Sequence, residues 1–350
     1  MSVTIREVAS RAGVSIATVS RVFNNSDPVD EGTRARVKKA ATELRYVPNV
    51  LGRSLSMRRT DSIGLLLPDL FGEFFSEVIR GCDQTAQQSN FHLLVSSSHN
   101  NRQEIEAALR MMRGRVDGLI IMSPHIDANT LIENLPRTLP VVLLNCHVDG
   151  DDFDSINIDN RGGVSAMVRH LLSHGHTRIG ILKGTEHNLD AAERLLGYRE
   201  AVAAGSAVLS PDLEVPGSFS EASGYDAAGK LLSLRPRPTA IVASNDSMAI
   251  GALSAIRESG LRVPEDIALV GFDDIPVAAY ITPSLTTVNV DIDGLGVAAI
   301  TQVIHAVKNR NAHTKQHSVL PTRLSLRHSC GCTNQQTSHQ SQKEVTAETT

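Results

Sequence analysis

The sequence predicts an α/β protein in which a small three-helix headpiece precedes a body of two doubly wound, parallel-sheet lobes. Three observations carry that expectation. Apolar residues recur at helical spacing in three short runs within the first 46 residues. From Ser62 onward, strand-like apolar runs alternate with amphipathic helical stretches: SIGLLLP, FHLLVSS, DGLIIMS, PVVLLN, then RIGILKG, TAIVASN and DIALVGFD. That alternation argues for parallel sheets with crossover helices. Charge divides the chain at the same place. Residues 1–59 hold 11 Lys/Arg against 5 Asp/Glu, a net +6, and the remainder holds 23 against 33, a net −10. A basic headpiece on an acidic body means that only the headpiece is suited to approach a polyanion.

The headpiece, residues 1–46, opens on VTIREVASRAGVSIATVSRVFN, two amphipathic helices joined by a tight turn. Ile5, Val8, Ala9 and Ala12 form the first stripe, Gly13 supplies a left-handed stop, and Ser15 caps the second helix. The inward stripe of that helix is Val19, Val22 and Phe23. Its outer face shows Ala17, Ser20, Arg21 and Asn24, with Ile16 at the leading edge. A small, hydrogen-bonding helix face with one Arg suits a DNA major groove, where Arg21 can read guanine and Ile16 and Ala17 can touch thymine methyls. The bland alternative is an ordinary helical hairpin. Against it stands a third helix within VDEGTRARVKKAATELRY, capped by Asp30 with Val37, Ala40, Ala41 and Leu44 inward. Residues 47–59 follow as a basic hinge or linker that Pro48 opens.

The body spans residues 60–330, with lobe 1 at about 60–158 and 291–318 and lobe 2 at about 159–290 and 319–330. The rhythm breaks at DGDDFDSINIDN, a polar stretch suited to a crossing between lobes. A return crossing near 285–293, followed by a strand, a helix at about 293–309 and one final strand at about 319–327, completes the expectation. Two such lobes leave a cleft at the carboxyl ends of their strands. Strand ends and adjoining helix starts place Asp69, Phe74, Phe75, Ser123, Asn145, Arg194, Phe219, Asn245 and Asp273 there. Planar polar groups with aromatic faces suit a ring that has apolar faces and a hydroxyl rim, and a nucleobase would also fit. Asp69 and Asp273 against Arg194 disfavour an anionic ligand. Asp246 reads as the N-cap of the next helix, and Asp274 as solvated.

At 350 residues and 41% hydrophobic, the chain can bury sizeable cores. No apolar run approaches the ~18 residues of a membrane span, and the N-terminus lacks the apolar segment of a signal peptide, so the cytoplasm is expected. The four Cys, at 82, 146, 330 and 332, have neither C-x-x-C nor metal-ligand spacing and read as reduced thiols. His170, His174 and His176 lack an evident fourth ligand and read as a helix end stopped by Gly175. No P-loop, nucleophile elbow, H-E-x-x-H or G-x-G-x-x-G occurs, so an enzyme acting on a sugar has no positive support. The polar tail, 331–350, reads as disordered and offers no leucine heptad.

The run T-I-R-E-V-A-S-R-A-G-V-S-I-A-T-V-S-R-V-F-N resembles the LacI/GalR family of bacterial transcription regulators, as do Leu44–Asn49 and Arg53-Ser54-Leu55. In the body the resemblance continues through D-G-L-I-I, H-L-L-S-H-G-H-T-R-I-G, R-L-L-G-Y, S-N-D-S-M-A-I-G-A-L and G-F-D-D, covering about residues 3–330. It implies a body like periplasmic sugar-binding proteins and effector-pocket roles for Phe74, Arg194, Phe219, Asn245 and Asp273. It also implies a homodimer on pseudo-palindromic double-stranded operator DNA, a small-molecule effector, and no cofactor, metal or membrane. The DNA-contacting set is then Thr4, Ser15, Ile16, Ala17, Thr18, Ser20, Arg21 and Asn24, with Asn49, Arg53 and Leu55 in the hinge. There two hinge helices pair in the minor groove and Leu55 wedges between base pairs. The sequence departs from the family at Gly52, where many relatives have Ala, and at Asn145, where many have Asp. The rival reading is a transport-class binding protein with the same body, against which residues 1–59 stand.

Overall fold

The computed structural model describes residues 3–24, 28–46, 59–123, 126–146, 148, 152–186, 188–205, 207–310 and 312–331. The hinge residues Asn49, Gly52, Arg53 and Leu55, the side chain of Asn24 and the tail 332–350 lie outside them. The chain forms two compact units, residues 1–60 and 61–350.

Among its described residues the first unit has three helices around one small core: α1 (Ile5–Ala12), α2 (Ile16–Asn24) and α3 (Glu31–Glu43). Val8, Val19 and Val37, one from each helix, are fully buried at its centre. Gly13 ends α1 at φ 65°, the left-handed geometry glycine accepts without penalty. Asp30 caps α3 by accepting from Thr33 N at 3.0 Å. The edge of Phe23 meets Tyr46 at 5.8 Å, and Arg11 pairs with Glu43 across α1 and α3.

Among its described residues the second unit holds two six-stranded sheets. Lobe 1 contains β1 (Ser62–Leu67), α4 (Glu73–Gln88), β2 (His92–Ser97), α5 (Arg102–Met112), β3 (Gly118–Ile121), α6 (Ala128–Asn134), β4 (Val141–Leu144) and β5 (Asp154–Ile158). Lobe 2 contains α7 (Asn160–Ser173), β6 (Ile179–Leu182), α8 (Leu189–Ala204), β7 (Glu214–Val215), α9 (Glu221–Ser233), β8 (Ala240–Ala243), α10 (Asp246–Glu258), β9 (Ala268–Asp273) and β10 (Thr286–Asn289). The chain returns to lobe 1 for α11 (Ile292–Lys308) and β11 (His317–Leu320), then crosses a third time to β12 (Arg323–Ser325). The sheet orders are β11-β5-β4-β3-β1-β2 and β12-β10-β9-β8-β6-β7, parallel throughout except where β12 meets β10. In each sheet the order reverses between the first and third strands, the switch point at which ligands bind in open α/β sheets.

Three expectations need correction. DSINI is not a bare crossing but strand β5, because Ile156 and Ile158 alternate inward and are buried. Glu214–Val215 adds the two-residue edge strand β7 that polar surroundings conceal. The single final strand at 319–327 is two strands in different sheets: Val319 and Leu320 pair with β5 in lobe 1, and Arg323–Ser325 pairs with β10 in lobe 2. The lobe border therefore lies past Leu320 and not at 318. Pro321 sits between them, and without an N–H it cannot continue a ladder.

Candidate functional site

On the headpiece, Ser15 accepts from Thr18 N at 3.1 Å and its hydroxyl meets that of Thr18 at 2.9 Å, so both hydroxyls fix the start of α2. Ile16, Ala17 and Arg21 are exposed, while Val19 and Val22 are buried on the opposite face. Thr4 gives its N–H and hydroxyl to Glu7 at 2.6 and 2.9 Å, capping α1. The result is a rigid two-helix unit that presents one uncrowded face of α2.

In the body, a cleft of about 330 Å³ lies at the strand ends of both lobes. Asp69, Phe74, Phe75 and Asn145 line it from lobe 1, and Arg194, Phe219, Asn245 and Asp273 from lobe 2. Arg194 anchors the lobe 2 wall. Its Nε donates to Asn160 Oδ1 at 2.7 Å, its Nη1 to the Ser244 carbonyl, and its guanidinium stacks 3.8 Å over the Phe272 ring. Its Nη2 stands 3.6 Å from Asp273 Oδ1, too far for a hydrogen bond, and that buried oxygen has no hydrogen-bond partner. Burial pushes the Asp273 carboxyl up to about 7, against the opposing pull of Arg194 and with a further push from Asp190.

Behind this wall Asp246 is fully buried. It accepts from Thr287 Oγ1 at 2.6 Å and from Ile275 N at 2.9 Å. Burial, and then the charge of Asp273, raises it well above the ordinary carboxylate range. The helix cap expected of Asp246 belongs instead to Asn245, which accepts from Met248 N at 3.0 Å and donates to the Phe219 carbonyl at 3.0 Å. Asp274 is not solvated: it holds Arg327 and Ser325 at 2.6 Å and Asn289 at 2.8 Å, tying β9 to the crossing segments. Asn145 (φ 49°), Phe219 (φ 64°), Asp273 (φ 110°) and Asp274 (φ 60°) all occupy the left-handed region. Such strain costs about 1–3 kcal/mol per residue and concentrates at functional sites.

Residues 4–49 match the family model "Bacterial regulatory proteins, lacI family", and residues 168–330 match "Periplasmic binding protein-like domain". The transcriptional repressor PurR of Proteus mirabilis is 37% identical over 329 residues, covering 93% of this chain and 96% of the relative. The chain belongs to the LacI family. Among solved LacI-family regulators, the lac repressor dimer bound to operator and an anti-inducer is similar at a TM-score of 0.82 and 30% identity, covering 94% of this chain and 99% of that one. The CelR–cellobiose complex is similar at 0.70 and 32%, covering 93% and 99%.

Within this LacI-family body the geometry also shows what sequence reasoning missed. Ser123 does not line the cleft. It is buried, its backbone N–H donates to Cys146 Sγ at 3.2 Å, and its hydroxyl has no partner; the preceding Met122 faces the cleft. Extended residues alternate sides, so an error of one residue inverts the assignment. Glu73, Asp190 and Glu221 also line the cleft, which sets five carboxylates against Arg194 among its described residues. Asp190 was discoverable, standing four residues before Arg194 on one helix face.

Asp69 accepts from Leu70 and Phe71 N–H in a tight turn at the cleft mouth. Asn145 accepts from Ile158 N at 3.1 Å, so it clasps β4 to β5 as well as lining the cleft. No group of three or more His, Cys, Asp or Glu among the described residues is placed to hold a metal. The His170 and His174 rings instead meet at a tilt with centroids 4.5 Å apart, and burial pushes His170 down to about 4. Cys82 and Cys146 are buried thiols raised to about 12. No described helix is long and apolar enough to cross a membrane.

Proposed function

We propose that this LacI-family chain is a homodimeric repressor whose operator affinity is set by a neutral, polyhydroxylated ring bound in the cleft. The observation that carries the effector class is the unfilled gap between Arg194 Nη2 and Asp273 Oδ1. One hydroxyl can accept from the guanidinium while another donates to ionised Asp273, a pairing that a fully ionised phosphate or carboxylate group, with no proton to donate, cannot make. The acidic surroundings disfavour an anion further, and Phe74 and Phe219 supply apolar walls. A sugar-bound relative, the CelR–cellobiose complex, supports the same class.

The headpiece, residues 1–46, reads a pseudo-palindromic site through Ser15, Ile16, Ala17, Thr18, Ser20, Arg21 and Asn24, with Thr4 fixing α1. The hinge, 47–59, adds Asn49, Arg53 and a Leu55 wedge in the minor groove. On this reading Leu55→Ala reduces the operator bend, and an unchanged bend refutes the wedge.

A thermal-shift panel of neutral mono- and disaccharides, sugar phosphates and purines tests the effector class. Neutral sugars are expected to stabilise the chain, and Arg194→Ala or Asp273→Ala to weaken that binding by about 2–4 kcal/mol. A tightly bound sugar phosphate, undiminished by Arg194→Ala, overturns the assignment.

A further inference from the structure

We propose that Glu73 is a latch that joins the two lobes across the mouth of the cleft and biases it toward closure. Glu73 opens α4 in lobe 1, and its Oε2 accepts from the N–H of Val277 in lobe 2 at 2.9 Å. The two residues are 204 apart in sequence. Val277 lies in a 3₁₀ turn, Pro276–Ala279, whose first-turn amides have no partner within the turn. Pro276 offers no N–H, and the Ile275 N–H is already given to Asp246. Val277 is therefore the first amide of this turn that can reach across, and the Glu73 carboxylate takes it.

The lobe 2 side of the latch is firmly seated. Asp274 is held by Asn289, Ser325 and Arg327, and Ile275 by Asp246. Asp273 and Ile275 from the same short segment line the cleft, as does Glu73 from the other lobe. An occupant that touches Asp273 thus acts on a rigid lip that ends, four residues on, at the latch. Both partners of the bond are near solvent, so water can satisfy them when the lobes part. Such a bond tilts an equilibrium without locking it. The regulatory meaning rests on the effector reading of the cleft; the latch itself does not.

The test uses the full chain with no ligand added, so its outcome is separate from whether the cleft takes a sugar. Amide hydrogen–deuterium exchange is followed in wild type, Glu73→Gln and Glu73→Ala, beside small-angle scattering. In Glu73→Ala the segment 275–281 is expected to exchange about tenfold faster, the loss of one charge-assisted hydrogen bond. The scattering curve should shift toward a wider cleft. Glu73→Gln keeps an acceptor and should fall between. Peptides from α9 and α10 should be unchanged. Unaltered exchange at 275–281 in Glu73→Ala overturns the latch, and so does equal acceleration in α9 and α10, which would mark general destabilisation.

Discussion

Asp273 is a buried carboxyl raised to about 7, whereas an unfolded Asp titrates near about 3.9. Between those pH values the folded chain holds a proton that the unfolded chain has released. Stability contributed by this group is therefore greatest in acid, declines as pH rises from about 4 to about 7, and levels off above. A shift of that size corresponds to at most about 4 kcal/mol. Asp154, lowered by His313, Gln302 and Lys315 despite its burial, slopes the other way. The informative quantity is thus the difference between wild type and Asp273→Asn. Urea midpoints from pH 4.5 to 8 should show wild type losing stability relative to the variant as pH rises; a pH-independent difference refutes the raised carboxyl. Arg21 gives a second residue-scale prediction. Exposed on α2, it can bond a guanine at O6 and N7. Arg21→Ala should cost about 1–3 kcal/mol at the selected operator and far less on random DNA. Equal losses on both sequences would make Arg21 a mere phosphate contact.

Among the elements, the loop that leaves strand β6 carries Gly184, where an added Cβ would lie 2.2 Å from Phe219 Cζ and 2.7 Å from both adjoining ring carbons. The ring thus lies flat on this glycine, which holds a strained aromatic residue at the cleft wall. Gly184→Ala must push the ring away, and overpacking of this kind costs about 1–3 kcal/mol. Calorimetry should show a lowered Tm together with weakened binding of whichever neutral sugar the panel identifies. Unchanged binding would place the Phe219 ring outside the recognition surface. Periodicity made the headpiece helices and seven strands readable, because Val, Ile and Leu runs bounded by turn residues have few competing interpretations. It failed where composition masked geometry: β5 is embedded in acidic residues, and the β11–β12 break depends on Pro321 separating pairings in two sheets. The strand-end rule brought eight of the nine cleft candidates to one wall or the other, and missed at Ser123 by one alternation. Glu73 was beyond its reach, since its partner is a backbone amide 204 residues away.

For the whole molecule, a net +6 over residues 1–59 against −10 over the rest assigns the polyanion and the small molecule to different units before any contact is considered. If one chain regulates operator binding through its cleft, the two equilibria share a coupling free energy. Whatever factor the effector imposes on operator affinity, the operator must impose on effector affinity, because both paths reach the same doubly bound state. Such couplings are typically about 5- to 150-fold. The prediction can be checked without knowing which arrangement of the lobes binds DNA. Effector is titrated into the chain alone and into the chain saturated with a selected operator, and operator is titrated with and without effector. The two ratios must agree in size and sense, and must differ from one if the cleft ligand is the regulator. The sense also settles the class of control: a ratio that weakens DNA binding makes the ligand an inducer, and one that strengthens it makes the ligand a corepressor. Equal effector affinities with and without operator would leave the cleft a binding site unconnected to transcription.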